Sequence, residues 1–279
     1  MSTSTQQGTA PSTAVRRGTT PAGVALVVLA VGQVVSGGLV SVFADSPIMQ
    51  SDRPGEPAIT PLGYAFSIWG LIEVFSLALA LWLPWFRRRA DARGVAVVDA
   101  LTRALLIVLA GFSVWLVASV VEPAWATLAV FLVMAVGLAT GLRVAVRSRG
   151  EVAGWSTLGR TLVWGTLGLY AGWSTVAIWL NLTTGLAFSG APVTGTAGVV
   201  GQLAVLAGAT ATAVVVLRFI GGLLPYAAAV VWALVGAALG AAGAGEPVLA
   251  GAAVVGLLVV VAATAVLRLR RRDARPALG

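Results

Sequence analysis

Cysteine, histidine and lysine are all missing from this 279-residue chain, and charged side chains make up only 10% of it. Without cysteine there is no disulfide, no thiolate nucleophile and no thiolate-bound metal. Without histidine there is no imidazole base, no His-ligated haem and no ordinary zinc site. The chain also lacks a Gly-rich phosphate loop, metal-ligand spacing, and a nucleophile placed beside a plausible base. These absences speak against an enzyme and against any cofactor. The low charge excludes an ordinary soluble domain, in which about 25% of residues are charged.

What is present is apolar: 58% of residues are hydrophobic and the mean hydropathy is +0.96. Apolar runs of about 20 residues recur, long enough to cross a hydrocarbon core of about 30 Å. They are continuous and rich in Ala, Leu and Val, without the alternation of barrel strands, so they predict helices. The expected class is all-α: a polytopic membrane helix bundle of about eight transmembrane helices. The spans read as 22–44, 60–85, 101–120, 124–145, 162–187, 198–218, 221–243 and 247–267. Residues 1–20 are polar and aperiodic and read as a disordered tail. Residues 268–279 read as a basic cytoplasmic tail.

The net charge of +8 comes entirely from arginine. Cytoplasmic loops carry the excess of basic residues. An eight-span arrangement with both ends inside puts 17 of the 18 arginines on the cytoplasmic side, Arg53 being the exception. The basic charge is thus a topology signal and a contact for anionic lipid, with no nucleic acid as partner. The expected location is the cell membrane, as a multi-pass integral protein. Arg16–Arg17 followed by an apolar stretch and Val42-Phe43-Ala44 resembles a secretory signal. Its apolar stretch of about 20 residues exceeds the usual 7–15, which favours an uncleaved first span.

Ionisable or polar residues inside spans are costly, and each is a functional candidate. Glu73 is the one acid deep within a span. Gln33 in span one and Trp173-Ser174-Thr175 in span five share its depth near the midplane. At 3.6 residues per turn, Trp69 and Glu73 lie on one helix face, and so do Tyr170, Trp173, Ala177 and Asn181. The functional reading is a polar, aromatic-walled pocket between spans one, two and five, with Glu73 as ligand anchor or proton carrier. The bland alternative is a protonated Glu73 bonded to Gln33 or a neighbouring helix as interhelical glue. Trp82, Trp85, Trp125, Trp155 and Trp164 fall near span ends, where an aromatic belt is expected. Trp69, Trp115, Trp173 and Trp179 lie within spans, for ligand stacking or for helix packing. Gly32, Ser36, Gly37 and the Gly/Ala-rich seventh span suggest close helix contacts. Asp99 and Arg103, four residues apart, suggest an ion pair.

The segment from Ile59 through Pro61-Leu62-Gly63-Tyr64-Ala65-Phe66-Ser67-Ile68-Trp69 to Ile72 resembles the second-helix signature of the tryptophan-rich sensory protein family (TspO/MBR, the translocator protein family). The run Tyr170-Ala171-Gly172-Trp173 to Ala177-Ile178-Trp179-Leu180-Asn181 resembles that family's fifth helix. The resemblance covers residues 22–187. It implies a five-helix bundle over 21–187, followed by a three-helix membrane extension over 198–267. It further implies binding of flat apolar ligands such as porphyrins, sterols in some members, and a homodimer in several. Carried over by position, Trp69, Trp173, Ala177 and Asn181 would line the pocket. Glu73 stands where the family usually has an aromatic, and Asp45, Asp52 and Glu56 in the first loop would repel porphyrin propionates.

The expected function is therefore a sensor or translocator that binds a hydrophobic or tetrapyrrole-like ligand through Gln33, Trp69, Glu73, Tyr170, Trp173, Ala177 and Asn181. A proton-coupled small-solute transporter using Glu73 is the alternative, although no internal repeat supports it. Porphyrin degradation, with Trp69 or Trp173 taking part, is a third.

Overall fold

A computed structural model describes residues 18–43, 55–121 and 125–273. They form helices α1 (Pro21–Phe43), α2 (Ile68–Arg87), α3 (Ala92–Val121), α4 (Ala126–Arg147), α5 (Arg149–Gly154), α6 (Thr157–Phe188), α7 (Gly195–Ile220), α8 (Leu224–Gly243) and α9 (Pro247–Asp273). A 3-10 turn, Gly63–Ser67, leads into α2. No strand occurs among the described residues, as expected for segments that must satisfy their own backbone in lipid. Local sequence explains several boundaries. Proline stands at or next to the first position of α1, α8 and α9, where its missing N–H costs nothing. Ser156 caps α6 by accepting from Gly159 N at 3.2 Å. Gly221 and Gly222, at φ 70° and 71°, turn the chain from α7 into α8 within a few residues.

Seven of these helices are long and apolar enough to span a membrane: α1, α2, α3, α4, α7, α8 and α9. The eighth long helix, α6, has 32 residues and a length of about 48 Å. It falls outside the apolar set because it carries Thr166, Ser174, Thr175 and Asn181 and has little need to dissolve in lipid. Every residue from Gly165 to Ala177 is buried, with α2, α4, α7 and α8 packed around the helix. The eight expected spans thus correspond to eight long helices among the described residues. α3 starts nine residues before its expected span, and α9 runs six residues past Leu267, so the basic segment begins as helix. Residues 1–17, Ala44 of the cleavage-like step, and Asp45, Asp52 and Arg53 lie outside the described residues.

Contacts define two ends. Gly23 at the start of α1 packs on Pro84 near the end of α2. Trp82 of α2 meets Trp155 after α5, Arg149 donates to Ile220 O at the end of α7, and Arg271 of α9 lies on Gly221. This is the arginine-rich end, and it holds the start of α1 and the end of α9. At the other end Trp125 Nε1 donates to Ser189 Oγ at 3.2 Å, and Gly240 of α8 lies against Thr60 O. From the start of α1 to the end of α9 the described helices thus make an even number of crossings, with both at the arginine-rich end that the sequence predicts to be cytoplasmic.

Two sequence expectations need correction here. Asp99 pairs across helices with Arg87, at 2.6 and 3.2 Å, rather than with Arg103 on its own helix. The bidentate fork is the stronger geometry, and the early start of α3 carries Asp99 alongside the end of α2. A double-mutant cycle on Arg87→Gln and Asp99→Asn should give a coupling of about 1 kcal/mol in thermal melts. The cycle on Asp99 and Arg103 should give close to none, and the reverse result would overturn the pairing. The aromatic belt is also only partial. Trp85 and Trp125 are exposed, but Trp82 and Trp155 are buried in a cluster with Phe86, whose ring stacks on Trp82 at 4.6 Å. Of the glycines expected at helix contacts, Gly37, Gly236 and Gly240 make them, whereas a methyl at Gly32 or Gly243 would meet nothing within 4 Å.

Candidate functional site

Where the start of α2 meets the later part of α3 and the middle of α6, large aromatic side chains come together. The Trp69 ring lies 4.9 Å from Phe112, 5.3 Å from Trp115, 5.5 Å from Tyr170 and 6.2 Å from Trp173, measured between centroids. Phe66, from the 3-10 turn, meets Trp173 edge-on at 5.6 Å. Most of these pairs are edge-to-face, the arrangement that brings the positive rim of one ring to the negative face of another. The helical periods explain the convergence: Trp69 faces inward from α2, Phe112 and Trp115 are three apart on α3, and Tyr170 and Trp173 are three apart on α6.

Polar groups adjoin the rings. Gln33 of α1 is fully buried and donates through Nε2 to Tyr170 Oη at 3.4 Å. Its Oε1, and Nε1 of Trp69, are buried with no hydrogen-bond partner among the described residues. An unpaired polar atom away from water costs about 1–3 kcal/mol, so two in one cluster call for an explanation. Glu73 is half-buried one turn beyond Trp69 and packs on Gly37 of α1, where a methyl group would lie 2.6 Å from its Oε1. Gly37 thus leaves the space that the carboxyl occupies. α1 forms the outer wall, with 22% of its span buried against 50% for α3 and α8.

Of the residues singled out from sequence, Gln33, Trp69, Tyr170 and Trp173 come together, and Glu73 borders them. Ala177 is buried one turn further along α6. Asn181 is half-buried and donates to the Ala177 carbonyl of its own helix at 2.8 Å. That bond is the local one available to an Asn in a helix, and it ties the side chain down. Trp179 donates to Thr212 Oγ1 at 3.1 Å and lies on Gly208 of α7, which is a packing role.

Sequence reasoning missed the groups that hold the segment before α2. Gln202 of α7 accepts from Ile59 N at 3.1 Å and donates to Val193 O at 2.9 Å. Trp232 of α8 donates to Ala65 O at 2.8 Å and meets Tyr64 edge-on. Gly236 and Gly240 of α8 let Pro61 and Thr60 approach closely. A polar residue in α7 and a tryptophan in the Gly-rich span were the available signals, but their partners are more than 140 residues away in sequence.

No characterised protein and no solved structure gives a significant match to the chain. A family described as TSPO-like protein does match, and its sequence model covers residues 22–266. That range runs from the start of α1 almost to the end of α9, so it includes the three C-terminal helices as well as the two motifs that carry the resemblance. The chain is a multi-pass membrane protein and belongs to the TSPO-like family.

Proposed function

We propose that this protein binds a flat, largely apolar small molecule bearing a polar group, of the tetrapyrrole class, at the junction of α1, α2 and α6, and senses or translocates it in the cell membrane. One observation carries the reading: Trp69 and Gln33 both contact Tyr170, and each keeps a buried polar atom, a donor and an acceptor, without a partner among the described residues. A ligand edge with one acceptor and one donor would satisfy both, while the rings take its apolar face. α1 is the wall suited to part for entry, since it is the least buried span and leans chiefly on α2 and α3. In this arrangement α1, α2, α3 and α6, four of the first five long helices, supply the site. α7 and α8 brace the segment before α2 through Gln202 and Trp232.

Titration of purified protein with protoporphyrin should quench tryptophan fluorescence saturably and shift the Soret band. Trp173→Ala and Gln33→Ala should each weaken binding about tenfold, the equivalent of one stacking or hydrogen-bonding contact. A non-saturable response, unchanged in both variants, refutes the site.

The half-buried Glu73 against Gly37 favours a second reading, proton-coupled transport of a small solute. Uptake into liposomes driven by a pH gradient and abolished by Glu73→Gln would select it.

A further inference from the structure

Beyond the ring cluster, an open groove of about 550 Å³ runs between α2, α6 and the start of α8. Its apolar walls are Leu71, Phe75, Leu169, Leu223 and Pro225, with Trp164 nearer the arginine-rich end. Phe75 can lie flat because Gly165 has no side chain, and a methyl there would enter its ring. At the cytoplasmic mouth of the groove the lining changes to Arg160 and Thr161, and no acidic side chain lines it.

A second guanidinium lies against Trp164 beside the mouth, without itself lining the groove. Arg149 of α5 lies 5.4 Å from the Trp164 ring, and Trp164 follows Arg160 by one turn of α6. Arg149 donates to Ile220 O, yet its Nε is buried without a hydrogen-bond partner among the described residues. Burial and, secondly, the nearby Arg271 charge both lower its pKa from the ordinary arginine value. An anion at the mouth would offset both effects. Arg160 is exposed, its guanidinium held by Ala153 O at 3.0 Å and Thr157 Oγ1 at 3.1 Å.

We infer that this groove is a binding site for an anionic phospholipid of the cytoplasmic leaflet, with an acyl chain against Leu71, Phe75 and Leu169 and the phosphate between Arg149 and Arg160. The arrangement matches the two halves of such a molecule in order. Apolar walls face the hydrocarbon depth of α2 and α6, and the positive groups stand where the headgroups lie. A zwitterionic lipid would fill the same walls and gain less from the arginines.

The test uses the full-length protein, delipidated in mild detergent and offered phosphatidylglycerol and phosphatidylcholine in equal amounts, with bound lipid counted by native mass spectrometry. Phosphatidylglycerol should be retained several-fold over phosphatidylcholine. Arg160→Gln and Arg149→Gln should each reduce that preference about fivefold. Thr161→Trp, which fills the mouth without altering charge, should reduce retention of both lipids. Each variant is compared at a melting temperature matching that of the parent. Arg160→Gln, on an exposed side chain, provides the arm least dependent on folding. Equal retention of the two lipids by the parent, a preference surviving Arg160→Gln, or undiminished retention of both lipids in Thr161→Trp overturns the inference.

Discussion

Gly172→Leu is expected to prevent the assembly of α6 with α8, and Gly172→Ala to weaken it measurably. A methyl group at this position would run into the Tyr226 carbonyl and lie 2.8 Å from Ala229 Cβ. Those are backbone and near-backbone atoms of the facing helix, so neither can yield by rotating a side chain. One turn earlier, a methyl at Gly168 would lie 2.9 Å from Pro225 Cβ, so relief at one point tightens the other. In a bilayer the apolar effect does not drive helices together, and close packing of small residues carries much of the association. Overpacking a filled core costs about 1–3 kcal/mol for a methyl and more for an isobutyl group. The alanine variant should therefore melt about 3–10 °C lower in detergent, and the leucine variant should elute as aggregate. Gly32→Leu is the internal control, because a methyl at Gly32 would meet nothing within 4 Å beyond its own helix backbone. It should change stability by less than about 0.5 kcal/mol. Equal melting of the Gly172 and Gly32 variants would refute the α6–α8 contact.

Trp69→Ala is expected to be the most damaging single change in the ring cluster, and Trp69→Phe the most informative. The indole touches Phe112, Trp115, Tyr170 and Trp173, so its removal leaves a void bordered by four large rings. The transfer contribution is small here, because an unpacked tryptophan would sit in lipid. The cavity contribution remains, at about 24 cal/mol per Å³, or about 3 kcal/mol for a void the size of the lost side chain. Phenylalanine keeps much of the volume and removes the unpartnered N–H. If that N–H serves only as an uncompensated cost, Trp69→Phe should leave stability near the parent value and leave protoporphyrin binding intact. If it is held for a ligand, stability should be preserved and binding should weaken about tenfold. Melting curves and fluorescence titrations on the same preparation separate the two. Loss of stability in Trp69→Phe as large as in Trp69→Ala would show that the indole is held for its shape alone.

Much of this organisation is legible in the sequence, and the reason differs from place to place. The spans of α1, α4 and α8 can be read to within about three residues because lipid demands continuous apolar helix. Trp69, Tyr170 and Trp173 can be nominated because helical periodicity places them on shared faces and polar or aromatic groups at the midplane are conspicuous. Asp99 is a counterexample: the local Arg103 was a sound partner by spacing, yet Arg87 wins through a geometry that only helix packing sets up. Trp82 and Trp155 are another, since position near a span end says nothing about whether a neighbouring helix covers the ring. Asn181 shares a face with Trp173 yet turns its amide onto its own backbone.

The sequence by itself determined the membrane class, the number of long helices, the arginine-rich side and the inward aromatic positions. All of these depend on one-dimensional quantities: run length, charge distribution and helical period. The tertiary structure alone decided that α6 is the central helix rather than one span among equals. It alone decided that α7 and α8 clasp the segment before α2, and that Trp69 and Gln33 meet Tyr170 while Trp69 Nε1 and Gln33 Oε1 have no partner among the described residues. Each of these joins residues far apart in the chain, and burial by another helix leaves no periodic trace in the segment it covers.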